Sequence, residues 1–397
     1  MKFKPRHQEE IYLMRFEEIY GQFKEKTLTT SQAAEILGIS ERNFLRKRRR
    51  FESKDFDGRF DFRLGKVSPH KAADEEIEAL TKLYADRYHG FTIKHFHEFA
   101  KRDHQLQRSY SWTKGTLIKA GLASKSTRGG KHRLRRERRP MIGMMIHQDG
   151  STHRWLSALD HNIDLIVTLD DATSNITSAF FVEEEGTMST LRGLRETIEK
   201  HGLFCSFYTD RGSHYFYTPD AGGKVDKGRL TQVGRALKQL NIKHIAAYSP
   251  QARGRSERMF GTLQGRLPQE FDLEGIKTIE EANKYLNEVY LPRHNKQFTV
   301  EASSSLSAYT PWVGAGLRDI LCLQEERVVQ QDNTVRYNGF ILQIPKNDVR
   351  DHYVRVTINV HTYESGDMAV FYGHMCLGKY DCCGNLLKED VDQKQAA

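Results

Sequence analysis

Between Gly143 and Ala247 five short apolar runs recur, and what separates them constrains the fold more than any other feature of the chain. GMMIHQD (143–149), DLIVTLDD (164–171) and ITSAFFV (176–182) follow one another at hairpin-like spacing. TLRGLRETIEKHG (190–202), an amphipathic helix closed by glycine, comes before FCSFYTD (204–210), and the helix LTQVGRALKQLN (230–241) comes before KHIAA (243–247). Three strands in sequence, then alternation of helix and strand, predict a mixed sheet with helices on its faces. In that order the first and fourth strands can lie side by side, which brings Asp149 and Asp210 together at their ends.

The next segment, SPQARGRSERMFGTLQ (249–264), opens a helix over 253–267 that buries Phe260, Leu263 and Leu267 at spacing i, i+3, i+7. Glu257 lies one step beside that stripe, at the rim where helix meets sheet, with Gly261 and Gln264 on its own face. A glutamate beside Arg253, Arg255 and Arg258 is either a solvated ion pair or the third carboxylate of a divalent-metal site. Hard cations such as Mg²⁺ take oxygen ligands and keep several waters, so a few carboxylates plus substrate phosphate suffice to hold them. Two such ions about 3.5–4 Å apart activate an attacking oxygen and stabilise the leaving one in phosphoryl displacement. The three arginines would then hold a DNA backbone, while Gly254 lets strand and helix approach closely. Asp170 and Asp171 are rival carboxylates, read as a capping or turn feature. Ser213 and His214, beside Asp210, either orient DNA or water or simply pack.

The rest of the chain bounds the context. At 397 residues, two to four domains are expected. No apolar run approaches the roughly 18–20 residues of a membrane span, and the start lacks a signal-peptide core. The five cysteines show no disulfide spacing, so a cytoplasmic protein is expected. Net charge is uneven. Residues 1–140 hold 33 Lys and Arg against 19 Asp and Glu, a net +14, while 141–397 hold 28 against 33, a net −5. A basic N-terminal third points to a polyanionic partner.

That third carries helix–turn–helix patterning. In TTSQAAEILGISERNFLRKRRRF (29–51), Thr29 and Gln32 have capping-box spacing, Gly38 permits the turn, and Ser40 caps a second helix over 41–50. Phe44 and Leu45 point inward, leaving Arg42, Arg46, Lys47 and Arg49 outward, the distribution a recognition helix needs in a major groove. A second helical region spans about 73–123. Its histidines at 89, 95, 97 and 104 match no common zinc spacing and are read as packed or solvated. STRGGKHRLRRERRP (126–140) is a linker whose Arg135, Arg136, Arg138 and Arg139 would lie along phosphate. Beyond the helix 279–291, alternating strands with DN, NG, SGD and CGN turns predict a small β-barrel.

HQDGSTHRW (147–155), YTDRGSHY (208–215) and SPQARGRSERMFGTLQ (249–264), in that order, resemble the integrase core of DDE transposases, and the layout resembles bacterial insertion-sequence transposases of the ISNCY kind. The resemblance implies an RNase H-like fold and makes Asp149, Asp210 and Glu257 a catalytic, metal-binding triad using Mg²⁺, with Mn²⁺ able to substitute. It also implies double-stranded transposon-end and target DNA as partners, a homodimer or higher synaptic assembly, no membrane, and a bacterial, nucleoid-associated location. The 46 residues between Asp210 and Glu257 exceed the 35 typical of retroviral integrases, with GGKVDKGR (222–229) as the inserted loop. YLPRHNKQF (290–298) resembles the family's segment after the glutamate helix, with Arg293 and His294 as further candidate DNA contacts. The expected domains are helix–turn–helix 1–65, a second helical DNA-binding domain 66–125, linker 126–140, catalytic core 141–300, linker 301–325 and barrel 326–390. Two other classes stay open: a sequence-specific DNA-binding protein with an inactive integrase fold, and a nuclease that only cuts.

Overall fold

The computed structural model describes residues 5–53, 71–124, 137–219, 224–226, 228–248, 254–314 and 316–387. The chain divides into two compact units, Met1–Ala79 and Leu80–Ala397. In the larger, the five apolar runs form one sheet ordered β3-β2-β1-β4-β5. Strand β1 (Ile146–His153) pairs antiparallel with β2 (Ile163–Asp170), and β2 with β3 (Ile176–Val182). Helix α7 (Thr187–His201) then returns the chain, so β4 (Ser206–Thr209) lies parallel to β1. Helix α8 (Gln232–Gln239) does the same for β5 (Lys243–Ala246) beside β4. This is the expected mixed sheet, and its strand order is that of an RNase H-like core.

Apolar residues cover both faces. On one, Leu165, Val167, Leu169 and Phe181 pack with Phe260 and Leu263 of α9 (Gly254–Gln264) and with Leu267 and Phe271 of α10 (Leu267–Glu274). On the other, Ile146 and Phe207 pack with Leu191, Leu194 and Ile198 of α7 and Val233 and Leu237 of α8. The predicted closing helix is longer than expected. α11 (Ile279–Tyr285) runs through a π turn (Leu286–Tyr290) into α12 (Leu291–Phe298). The π turn lies just before Pro292, whose ring would otherwise press on the carbonyl four residues back.

Three helices precede the sheet: α4 (Asp74–Arg87), α5 (Ile93–Asp103) and α6 (Tyr110–Lys119), around Tyr84, Tyr88, Phe91, Phe96, Phe99 and Leu117. Helix α5 docks on the core helices through buried charge. His95 and Glu270, both fully buried, meet at 2.7 Å, and Glu270 also accepts from Tyr285 at 2.7 Å and from Arg293. Beside them Arg266 donates to Glu98 at 2.7 Å and Gln297 to Glu98 at 2.6 Å. Arg293 and His294, offered above as DNA contacts, are thus turned inward, His294 buried against Tyr290 and Phe298. His97 is likewise packed, bonded to Thr113 at 3.0 Å, and His104 bonds Tyr88 at 3.0 Å.

The C-terminal strands do not close into the expected barrel. Among the described residues β6 (Leu323–Val328), β9 (Thr357–Thr362), β10 (Met368–Tyr372) and β11 (Met375–Tyr380) form an open antiparallel sheet, β11-β10-β9-β6. β7 (Thr334–Tyr337) and β8 (Phe340–Gln343) form a separate hairpin. Sheet and hairpin share one apolar core, with Val335, Tyr337, Leu342, Val360, Val370 and Tyr380, so burial is achieved without continuous strand pairing. A short helix α13 (Leu317–Ile320) leads in. Here Arg235 of α8 donates to the carbonyls of Ile320 and Cys322, tying this sheet to the core.

In the smaller unit α1 (Pro5–Lys24), which the sequence pattern did not announce, packs Phe16 and Ile19 on Ala33, Leu37 and Phe44. α2 (Thr30–Ile36) carries the predicted Thr29–Gln32 capping box. α3 (Glu41–Glu52) is capped by Ser40, and Gly38 turns between them at φ +65°.

Candidate active site

The register of two strands defines the site. β1 and β4 pair as Ile146↔Phe207 and His147↔Tyr208, and carrying that register on by two residues sets Asp149 opposite Asp210. β4 ends at Thr209 while β1 continues to His153, still paired with β2 through Asp149↔Val167. The β1–β4 pairing therefore ends just before the two aspartates. Asp149 sits within β1 rather than at its end as expected, because β2 continues to supply a partner. Asp149 is buried and Asp210 half-buried. Asp210 Oδ1 accepts from the Gly212 N–H at 2.8 Å, and Thr209 Oγ1 donates to the Asp210 carbonyl at 3.0 Å. Behind them His244, bonded to Thr209 at 3.1 Å, is pushed down to about 3 by burial and stays neutral.

Alternation along β1 puts His147, Asp149 and Ser151 on one face. Helix α9 lies against that face and touches both ends of the row. Its Arg255 meets Asp171, which also bonds His147 at 2.7 Å, and its Gln264 donates to Ser151 Oγ at 3.0 Å. Glu257 is seven residues from Gln264, about 700° around the helix, so both occupy the same flank of the buried Ser256–Phe260–Leu263 stripe. That flank faces the β1 row; Glu257 is exposed on it, in the first turn. Among the described residues no three His, Cys, Asp or Glu side chains already converge closely enough to hold a metal ion.

Asp170 and Asp171 have other work. Asp170 accepts from Gly143 N at 2.8 Å and Thr173 N at 3.0 Å and shapes the β2–β3 turn. Asp171, fully buried, accepts from the Arg139 N–H at 2.8 Å besides His147 and Arg255. Arg255 is therefore committed to bracing the start of α9 rather than turned outward. Arg138 is also turned inward, its guanidinium donating to the Asp171 carbonyl at 3.0 Å and to Ser174 Oγ at 2.9 Å. Arg139 and Arg258 are exposed, as are Arg42, Arg46 and Arg49 on α3. Lys47 instead covers the Tyr12 ring at 3.9 Å. Arg135, Arg136 and Arg253 lie outside the described residues, as do 249–253 and part of the 222–229 loop.

Sequence reasoning missed a cluster behind the aspartates. The buried Tyr215 hydroxyl lies 3.2 Å from Gln148 Oε1 and 3.3 Å from Glu185 Oε1, and His214 Nε2 lies 3.5 Å from the same Glu185 oxygen. Burial first, then the negative charges of Glu185, Asp149 and Asp210, holds the Tyr215 phenol well above its ordinary range. Glu185 is 36 residues from Asp149 and 25 from Asp210, so no local spacing announced it.

The five-stranded sheet in the order β3-β2-β1-β4-β5, with helices on both faces, defines the RNase H-like fold class. No protein-family profile matches the chain. It is 30% identical over 363 residues to y4bF of Sinorhizobium fredii (strain NBRC 101917 / NGR234), a protein assigned as a transposase, covering 90% of this chain and 78% of that one. It is 28% identical over 350 residues to the transposase for insertion sequence IS1202 of Streptococcus pneumoniae, covering 78% of this chain and 73% of that one. The chain belongs to this family of DNA transposases. Looser likenesses extend to the simian T-cell lymphotropic virus intasome (12% identity, 78% of this chain and 98% of that chain, TM-score 0.33) and the HTLV-2 integrase catalytic core with magnesium (17% identity, 38% and 89%, TM-score 0.27). The assignment rests on the sequence relatives alone. No helix among the described residues is long and apolar enough to cross a membrane.

Proposed function

We propose that this transposase hydrolyses a phosphodiester at each end of its element and joins the freed 3′-hydroxyl to target DNA, using Asp149, Asp210 and Glu257 as one carboxylate site. The observation that carries the reading is the β1–β4 register, which sets Asp149 opposite Asp210 just beyond the end of that pairing, beside the helix that bears Glu257. The donor set is all carboxylate oxygen, which fits Mg²⁺ or Mn²⁺ and not softer ions. Asp149 and Asp210 would hold the ion, with Glu257 completing the set from the first turn of α9. When bound, the metal supplies electrostatic stabilisation of the attacking and leaving oxygens. The chain's own contribution is positioning. The Gly212 N–H orients Asp210, the His147–Asp171–Arg255 link fixes the start of α9, and the open side of β1 admits the phosphodiester.

Arg42, Arg46 and Arg49 on α3 would read or hold the element's end in a major groove, and the second helical segment would add a further DNA contact. The reaction needs two ends and one target, so a dimer or larger synaptic assembly is the working form, acting on double-stranded DNA in the cytoplasm. A two-plasmid assay tests this, with the gene and its native flanks on the donor and new junctions sequenced in the target. Wild type should give discrete junctions, and Asp149→Asn, Asp210→Asn and Glu257→Gln none, with end binding retained. Junctions from any one variant would remove that residue from the site. Cut ends without joining would favour the cutting-only alternative.

A further inference from the structure

We propose that Glu185 is a positioning residue of the carboxylate site, bridging the loop that carries Asp210 to the stretch of β1 that carries Asp149. The inference rests on the reading of Asp149 and Asp210 as metal ligands.

Glu185 lies between β3 and α7, and its own N–H is pinned by the buried Asp164 carboxylate at 2.7 Å. Its side chain reaches two places at once. Oε1 meets the Tyr215 hydroxyl at 3.3 Å and faces His214 at 3.5 Å, both on the loop that leaves β4 through Asp210. The other end of the carboxylate lies against Gly150, the residue after Asp149, so closely that a methyl group there would collide with it. Gly150 does not adopt a left-handed conformation, so a side chain there would meet no backbone strain but would push the Glu185 carboxylate aside. On the Asp210 side, a Cβ on Gly212 would lie 3.0 Å from the His214 ring and 3.1 Å from Asp210 Oδ1, so ring and carboxylate flank one small gap. A continuous path runs from Asp210 past Gly212 to His214, then Glu185, then Gly150 and Asp149. Tyr215 crosses it by reaching Gln148 as well.

The β1–β4 ladder ends at His147↔Tyr208, two residues before the two aspartates. Glu185 adds a side-chain brace beyond the end of that ladder. Its negative charge adds to those of Asp149 and Asp210, which favours a divalent cation between them. Outer residues that orient metal ligands typically cost 10–100-fold in affinity when removed.

The test is Mn²⁺ binding by the full-length protein, read as free Mn²⁺ by electron paramagnetic resonance, with circular dichroism and melting temperature followed in parallel. Glu185→Ala and Gly150→Ala should each weaken Mn²⁺ binding by on the order of 10-fold. Glu185→Gln, which keeps shape and loses charge, and Tyr215→Phe, which loses one hydroxyl, should weaken it by less, and they carry the test if the alanine variants do not fold. A folded Glu185→Ala that binds Mn²⁺ as wild type does would overturn the proposal. So would a variant whose melting temperature falls while the affinity of its folded fraction stays the same, since that marks a purely structural role. Asp149→Asn is the control: unchanged Mn²⁺ binding there would overturn the carboxylate site itself, whereas loss there with no loss at Glu185 would overturn only the brace.

Discussion

Glu270→Gln offers a quantitative trial of how the second helical segment is held to the catalytic sheet. Glu270 is fully buried and its carboxylate serves three partners: His95 at 2.7 Å, Tyr285 at 2.7 Å and Arg293. Glutamine keeps the volume and one acceptor but removes the charge, and its amide then faces a guanidinium with donors on both sides. Removing one partner of a buried pair costs about 3–5 kcal/mol, because the remaining charge is left uncompensated. For a unit of this size the corresponding drop in melting temperature is on the order of 5–10 °C. Acid should act in the same direction. Burial alone would raise Glu270, but the His95 hydrogen bond and the Arg293 charge outweigh it and hold its pKa low. Burial depresses His95 from its ordinary 6.5 against the pull of Glu270. Both groups have folded-state values below their unfolded ones, so their contribution is fully present above pH 6.5 and is lost as pH falls. Thermal melts of wild type and Glu270→Gln between pH 8 and pH 5 read both effects. Between pH 6.5 and pH 5 the melting temperature of the variant should fall at least as steeply as that of wild type, because without Glu270 only burial and the neighbouring cations act on His95 and its pKa drops further. A variant melting within about 1 °C of wild type at pH 7.5 would refute the claim that this cluster fastens α5 to α10 and α12.

Further expectations follow from the same physical arguments. Asp171→Asn frees Arg255 and His147 together and should lower strand-transfer rate by on the order of 10-fold or more through mispositioning of α9, with end binding retained; an unchanged rate would show the link is dispensable. Replacing Arg42, Arg46 and Arg49 by alanine should weaken end binding and lower the slope of log K against log salt by about one unit for each phosphate no longer neutralised. An unchanged slope would exclude these arginines as phosphate ligands.

The central sheet was legible because its signals are local. Each apolar run carries its own length and turn residues, and α7 ends at Gly202 as its pattern required. What escaped detection depends on distant partners. β1 looked finished at Asp149 because hydropathy falls there, yet pairing with β2 carries it on to His153. Helix α1 is a weak signal in the sequence because charged residues dilute its apolar positions, Tyr12, Phe16, Ile19, Tyr20 and Phe23, and only Phe44 and Phe51 across the bundle show why they are there. The C-terminal turns were read correctly as turns, but turn chemistry does not say whether a last strand finds the first, and here a hairpin covers the sheet without closing it. In the candidate site the three carboxylates were suggested by order and motif. The turning inward of Arg255 and Arg138, and the presence of Glu185, depend on interactions spanning 84, 33 and 30 residues, and no spacing rule reaches that far.

The central claim is that Asp149, Asp210 and Glu257 form one metal-binding carboxylate site between β1, β4 and α9. Anomalous X-ray scattering from Mn²⁺ in crystals of the protein with end DNA would test it most directly. The expected result is an anomalous peak coordinated by Asp149 and Asp210, with Glu257 drawn in as a further ligand. A Mn²⁺ peak elsewhere, or none between the two aspartates at saturating Mn²⁺, would contradict it.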